Sequence, residues 1–156
     1  MVRVAIPGYK ALELKHLVMD YNGTMACDGS LIGGVRKMLD RLSQQLEIHV
    51  LTADTFGKVR QELAGEPVTI TVLPEEAQEH GKLDYIRKLG EEHVAAIGNG
   101  RNDRLMLEGA QLGIVLVQEE GACVATLMAA DMVCPNILSA LSLFIHTGRL
   151  IAGLRR

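Results

Sequence analysis

The chain has no tryptophan, and aromatic residues make up 3% of its 156 positions. Recognition that stacks bases on aromatic side chains therefore has almost nothing to work with. Positive charge is not in excess either: the formal net charge is −3, which leaves no basic footprint for neutralising phosphates along a polymer. Nucleic acid is thus not expected as a partner. Although 48% of residues are hydrophobic, no apolar run approaches the ~18 uninterrupted residues of a membrane span. The N-terminus also lacks the basic region, apolar core and cleavage site of a signal peptide. These absences predict a soluble, cytoplasmic protein with no membrane partner. The three cysteines, Cys27, Cys123 and Cys134, are odd in number and match no zinc or CxxC spacing, so they read as small thiols in a reducing compartment. Arg149, Arg155 and Arg156 read as a solvated helix end.

What is present is alternation. Short apolar, β-branched runs at Val2 to Ile6, Leu12 to Met19, Glu47 to Leu51, Val68 to Leu73, His93 to Ile97, Leu112 to Val117 and Met132 to Cys134 are separated by amphipathic segments. The helices are expected near Gly34 to Gln45, Phe56 to Leu63, Gly81 to Leu89, Asp103 to Gly109, Ala122 to Ala129 and Ile137 to Leu154. This is the pattern of an α/β domain with a doubly wound, Rossmann-like parallel sheet. The runs ending at Leu51 and Ile97 are apolar nearly throughout, as strands buried on both faces should be. Pro7-Gly8-Tyr9-Lys10 signals an N-terminal β-hairpin leading into the central strand. There is no repeat or linker, and the length suits one core, so residues 1–156 are expected to form a single domain.

Four polar clusters fall at the carboxyl ends of strands or at the helix starts that follow, where open α/β sheets bind ligands. The first, Asp20-Tyr21-Asn22-Gly23-Thr24, ends an apolar strand on a carboxylate and turns at once. Asp20 there can be a nucleophile or a metal ligand, or the segment can be a plain Asx turn. The second is Thr52-Ala53-Asp54: Thr52 is suited to a phosphoryl oxygen, while Asp54 is better suited to capping the next helix. The third is Lys82, placed at a predicted helix start where its charge opposes the helix dipole and invites an anion. The fourth is Gly98-Asn99-Gly100-Arg101-Asn102-Asp103. Its glycines allow close backbone approach, and Asn99, Asn102 and Asp103 offer oxygens to a hard cation such as Mg²⁺.

Taken in order, these clusters resemble the four motifs of the haloacid dehalogenase-like (HAD) phosphotransferase superfamily, and most closely the phosphorylation domain of P-type ATPases. The family's Asp-Lys-Thr-Gly-Thr is similar to Asp20-Tyr21-Asn22-Gly23-Thr24, and its Gly-Asp-Gly-x-Asn-Asp to Gly98-Asn99-Gly100-Arg101-Asn102-Asp103. Leu73-Pro74-Glu75 followed by Lys82 looks like its Pro-Glu-Asp-Lys segment with residues inserted. Ala110-Gln111-Leu112-Gly113-Ile114 and Ala129-Ala130-Asp131-Met132-Val133 resemble two further pump segments. The spacing leaves no room for a cap domain.

The resemblance implies a Mg²⁺-dependent phosphohydrolase acting on a small phosphorylated molecule. Asp20 would attack phosphorus and form an aspartyl-phosphate. Asp20, Asn22, Asn99 and Asp103 would hold Mg²⁺. Thr52 and Lys82 would hold the transferring oxygens, and Thr24, Ala53 and Asn102 would border the substrate, with Thr24 chiefly orienting the loop. Two departures stand out: Asn22 occupies the position of the usual acid–base Asp, and Asn99 that of a metal-binding Asp. Turnover is therefore expected to be slow. A non-catalytic phosphate- or Mg²⁺-binding module and a receiver-like phosphoaspartate switch are the competing readings. Apolar surface left bare by the missing cap predicts self-association, with no feature fixing the number of subunits.

Overall fold

A computed structural model describes residues 1–54 and 57–156. At its centre is a six-stranded sheet built from β3 (His16–Asp20), β6 (Glu47–Thr52), β7 (Thr69–Val72), β8 (Val94–Gly98), β9 (Leu112–Leu116) and β10 (Met132–Cys134). The spatial order is β10-β9-β8-β3-β6-β7, and every neighbouring pair is parallel. The helices are α1 (Val35–Leu42), α2 (Lys58–Glu62), α3 (Gln78–Leu89), α4 (Arg104–Gly109), α5 (Val124–Ala129), α6 (Ile137–Ile145) and α7 (Gly148–Leu154). This is the expected doubly wound architecture. Phe56, the expected start of the second helix, lies outside the described residues.

Two apolar clusters cover the two sheet faces. Leu17, Met19, Ile48, Val50, Ala95 and Ile97 face one way and pack with Val35 and Leu39 of α1 and Ile137 and Phe144 of α6. Val18, Leu51, Ala96 and Val115 face the other way, toward Leu83 and Ile86 of α3 and Met106 of α4. Leu17, Val18 and Met19 are each fully buried. That is why the strand shows no polar alternation, and each contributes about 1.5–3 kcal/mol by leaving water. The strand order reverses at β3, which has β8 on one side and β6 on the other. Such a switch point opens a crevice at the carboxyl ends of the strands.

Three expectations are corrected. The run Leu12 to Met19 is not one strand. β1 (Val2–Ala5) and β2 (Ala11–Leu14) form the antiparallel hairpin as a separate sheet, and the chain changes partners at Lys15. Lys15 N–H donates to His93 and its carbonyl accepts from Glu47, so the break costs no backbone bond. The segment Ile137 to Leu154 is two helices bent by 109° at His146 and Thr147. Among the described residues no single helix is long and apolar enough to cross a membrane. Finally, α3 begins at Gln78 after a 3-10 turn at Glu75–Ala77, which places Lys82 inside the helix and not at its start. Between β3 and α1 the chain inserts only a small hairpin, β4 (Ala26–Cys27) with β5 (Ser30–Leu31), and no cap domain is evident among the described residues.

Candidate active site

Asp20 is the last residue of β3 and shares its parity with Val18, so its side chain leaves the strand on the α3 face. There it meets Lys82. The ammonium, fully buried, donates to Asp20 Oδ1 at 2.8 Å and to Asp103 Oδ1 at 2.7 Å, with Asn102 Oδ1 at 3.5 Å. Lys82 is thus held by two carboxylates, and the helix-dipole argument for it does not apply. Burial pulls its pKa down, but Asp20 and Asp103 outweigh burial and hold it above the ordinary value. Asp20 is pushed up to about 7, first by burial and then by the neighbouring Asp103, with Lys82 opposing both. Two carboxylates share one ammonium, so the cluster carries an excess negative charge.

Both oxygens of Asp103 have partners. One oxygen faces Lys82, and the other accepts the backbone N–H groups of Asn99 and Gly100, both at 2.9 Å. This folds the loop after β8 back on itself, and glycine is required for it: a Cβ on Gly98 would sit 2.5 Å from Asp103 Cγ. The loop after β3 approaches just as closely. Gly23 has φ +75°, and a Cβ there would lie 2.4 Å from Asn99 Nδ2.

Thr24 is fully buried beneath the two loops. Its hydroxyl lies 3.4 Å from Asp20 Oδ2 and 3.2 Å from Asn99 Oδ1. Thr24 is not in the cavity wall; it ties one loop to the other. Asn99 Nδ2 donates to Gly121 O at 3.0 Å, which fixes the amide with its oxygen toward the Thr24 hydroxyl. A cavity of about 400 Å³ opens over these groups, with Asp20, Asn22, Thr52, Ala53, Asn99 and Asn102 in its wall. Thr52 is 2% exposed, and its hydroxyl accepts the N–H of Asp54 at 3.2 Å. Asp54 accepts the N–H groups of Lys58 and Val59, the capping role expected of it.

Several contributors carried no local signal. Gln118 Nε2 donates to the carbonyls of Gly23 (3.0 Å) and Thr24 (2.7 Å), while its Oε1 accepts Ile137 N–H. It therefore clamps the loop that carries Asp20. Thr126 donates to Gly100 O at 2.8 Å, and Gln78 to the carbonyls of Leu73 and Pro74. Tyr21, where the resembling family has Lys, is buried away from the cavity and donates to Gly29 O.

The oxygens fit a hard cation. Asp20 Oδ2 and Asn99 Oδ1 converge on the Thr24 hydroxyl, whose single proton serves one of them at a time, and the backbone N–H of Tyr21 also bonds the Asp20 carboxylate. The net charge of the Lys82 cluster favours a cation as well.

No protein-family model matches the chain. It is 40% identical to Uncharacterized protein MJ0073 of Methanocaldococcus jannaschii over 78 residues, covering 47% of this chain and 84% of that protein. It is 44% identical to Uncharacterized protein MJ0072 of the same organism over 39 residues, 25% of this chain and 89% of that one. Among solved structures it is similar to 3-deoxy-D-manno-octulosonate 8-phosphate phosphatase from Moraxella catarrhalis, in complex with magnesium and phosphate (TM-score 0.73, 16% identity, 90% of each chain). The cobalt-bound phosphatase of the same kind from Haemophilus influenzae gives TM-score 0.72 at 13% identity, over 90% of this chain and 92% of that one. A zinc-transporting PIB-type ATPase gives TM-score 0.63 at 19% identity, with 78% of this chain covering 20% of the pump. The chain belongs to the same family as MJ0073, and it shares its fold with solved hydrolases of the haloacid dehalogenase-like kind.

Proposed function

We propose that the protein is a phosphohydrolase that removes a phosphoryl group from a small phosphorylated molecule through an aspartyl-phosphate on Asp20. The observation that carries this is the buried ammonium of Lys82 bonded to Asp20 Oδ1, beside a cavity that opens on the same carboxylate. Lys82 fixes the orientation of the carboxylate that would attack phosphorus. The nucleophilic form is the carboxylate, and with a pKa near 7 its ionised fraction rises through neutral pH. Attack forms the Asp20–phosphorus bond and breaks the bond to the leaving oxygen. Water then attacks the same phosphorus, releasing phosphate and restoring the carboxylate.

Thr52, at the end of β6, and the N–H groups of the turn after Asp20 would hold the equatorial oxygens. Mg²⁺ would be held by Asp20, the Asn22 backbone carbonyl and Asn99 Oδ1. When bound it would offset the repulsion between carboxylate and phosphate. Asp103 is assigned to positioning Lys82, because both of its oxygens already have partners. Asn22 cannot donate a proton to the leaving oxygen or take one from water. Substrates with good leaving groups, aryl or acyl phosphates, should therefore react faster than alkyl esters.

The test is incubation with p-nitrophenyl phosphate and with acetyl phosphate in the presence of Mg²⁺. Phosphate release is measured, and acid-quenched protein is examined by mass spectrometry for a phosphoryl group on Asp20. Release and labelling that are both lost in Asp20→Asn support the proposal. Equal release by the variant overturns it. Phosphate and Mg²⁺ binding with neither release nor labelling would favour a binding module, which the two amides at positions 22 and 99 would suit.

A further inference from the structure

At the opposite end of β3 from Asp20, three side chains converge that the reaction above does not use. His16 is registered directly against Glu47 on the neighbouring β6, and His49 lies two residues further along β6, on the same face. His16 Nδ1 is 3.2 Å from His49 Nε2 and 3.3 Å from Glu47 Oε2. One ligand atom from each of the three residues lies within 4.8 Å of the others.

We propose that His16, His49 and Glu47 form a second metal site, for a borderline divalent transition metal of which zinc is the type. Bonds of about 2.0–2.1 Å in a tetrahedral zinc site set the ligand atoms about 3.3–3.4 Å apart, and two of the three edges already have that length. The third closes by rotation of Glu47, whose side chain is 75% exposed. Two imidazoles and one carboxylate suit zinc and its neighbours far better than Mg²⁺.

The hydrogen-bond count points the same way. His49 Nε2 and Glu47 Oε2 both face His16 Nδ1, which has at most one proton to offer, so it bonds one of them at a time and the exposed Glu47 otherwise turns to water. A cation in place of that proton satisfies all three atoms, and the displaced proton leaves to solvent. The site has outer support too: His49 Nδ1 is 3.0 Å from Tyr85 Oη, which also accepts from Thr71 Oγ1 at 3.4 Å. Such a partner fixes the ring and leaves Nε2 free to ligate. His49 is 6% exposed, so its ring is held in place by the surrounding core. A cleft of about 570 Å³ bounded by Glu47, His49, Pro67 and Thr69 gives the fourth coordination position access to water.

The full chain, stripped by a chelator, would be titrated with Zn²⁺ against a chromophoric competitor, with Mg²⁺ present. Uptake of one zinc is expected, weakened at least about tenfold in Glu47→Gln, further in His16→Gln, and about tenfold in Tyr85→Phe. Glu47 is exposed, so its variant tests the site without risk to folding. Co²⁺ in place of zinc should give visible absorption of tetrahedral intensity with no thiolate charge-transfer band. No zinc uptake at micromolar concentration, equal affinity in wild type, Glu47→Gln and His16→Gln, or a thiolate band from the free cysteines would each overturn the proposal. None of these readouts depends on phosphatase activity.

Discussion

Replacing Asp20 by Asn should stabilise this protein at neutral pH while abolishing its chemistry. Asp20 carries an ordinary pKa of 3.8 up to about 7 in the folded chain, so the folded state holds a proton more tightly than the unfolded one. The sign follows: the stability of the wild type falls as pH rises from about 4 to about 7 and levels off above that. At ~1.4 kcal/mol for each tenfold in proton affinity, the gap amounts to roughly 4 kcal/mol held against folding at pH 8. Asparagine removes the charge and keeps an oxygen that can accept from Lys82, which retains Asp103 at 2.7 Å. Urea unfolding at pH 8 without metal should show Asp20→Asn more stable by about 2–4 kcal/mol, a rise of roughly 5–15 °C in Tm for a chain of this size. At pH 4.5 the advantage should shrink below about 1 kcal/mol. Saturating Mg²⁺ should also narrow it, by stabilising the wild type. An Asp20→Asn protein no more stable than wild type at pH 8, or an advantage independent of pH, would refute the picture of an overcharged, buried trio.

The opposite sign is expected for Lys82→Met, which strands two buried carboxylates: a loss of about 3–5 kcal/mol at pH 8 in the same denaturant assay, smaller at pH 5 where Asp20 takes up a proton. Asn22→Asp supplies the missing acid–base group and should accelerate breakdown of the aspartyl-phosphate ~10²–10⁴-fold in single-turnover measurements. Asn99→Asp puts a formal charge at the rim of the cavity that Asp20 also lines, and calorimetry should show Mg²⁺ bound at least about tenfold more tightly. Gln118→Ala leaves the carbonyls of Gly23 and Thr24 without their donor, and kcat should fall about tenfold to a hundredfold with little change in KM, because the loop carrying Asp20 loses its position and not its substrate contacts.

Which parts of this structure could be read from the sequence depends on the range of the interaction that fixes them. The strands around Asp20, Thr52 and Gly98 are apolar because they are sandwiched between helices on both faces, and that burial is written into consecutive residues. The loops that follow are legible for the same local reason: glycine, asparagine and aspartate at turns. What local pattern does not carry is partnership. Lys82 reads as a helix-start lysine until the helix is seen to begin at Gln78 and its ammonium to sit between Asp20 and Asp103. Asp103 reads as an oxygen donor, and nothing local says that it also holds Lys82 and the N–H groups of Asn99 and Gly100. Gln118 has no motif at all, since its role lies in two carbonyls more than ninety positions away. The break at His146 was hidden because both halves of the segment keep an apolar face. The same holds with most force for His16, Glu47 and His49. Nothing near any of them in sequence marks a site, and they meet only because β3 and β6 run parallel with His16 opposite Glu47. A shift of that register by a single residue would send His49 and Glu47 to the α1 face and leave His16 alone. The register is held by Leu17 against Ile48 and Met19 against Val50 in the core, so the same apolar pairing that delivers Asp20 to the crevice assembles the three ligands at the strand's other end.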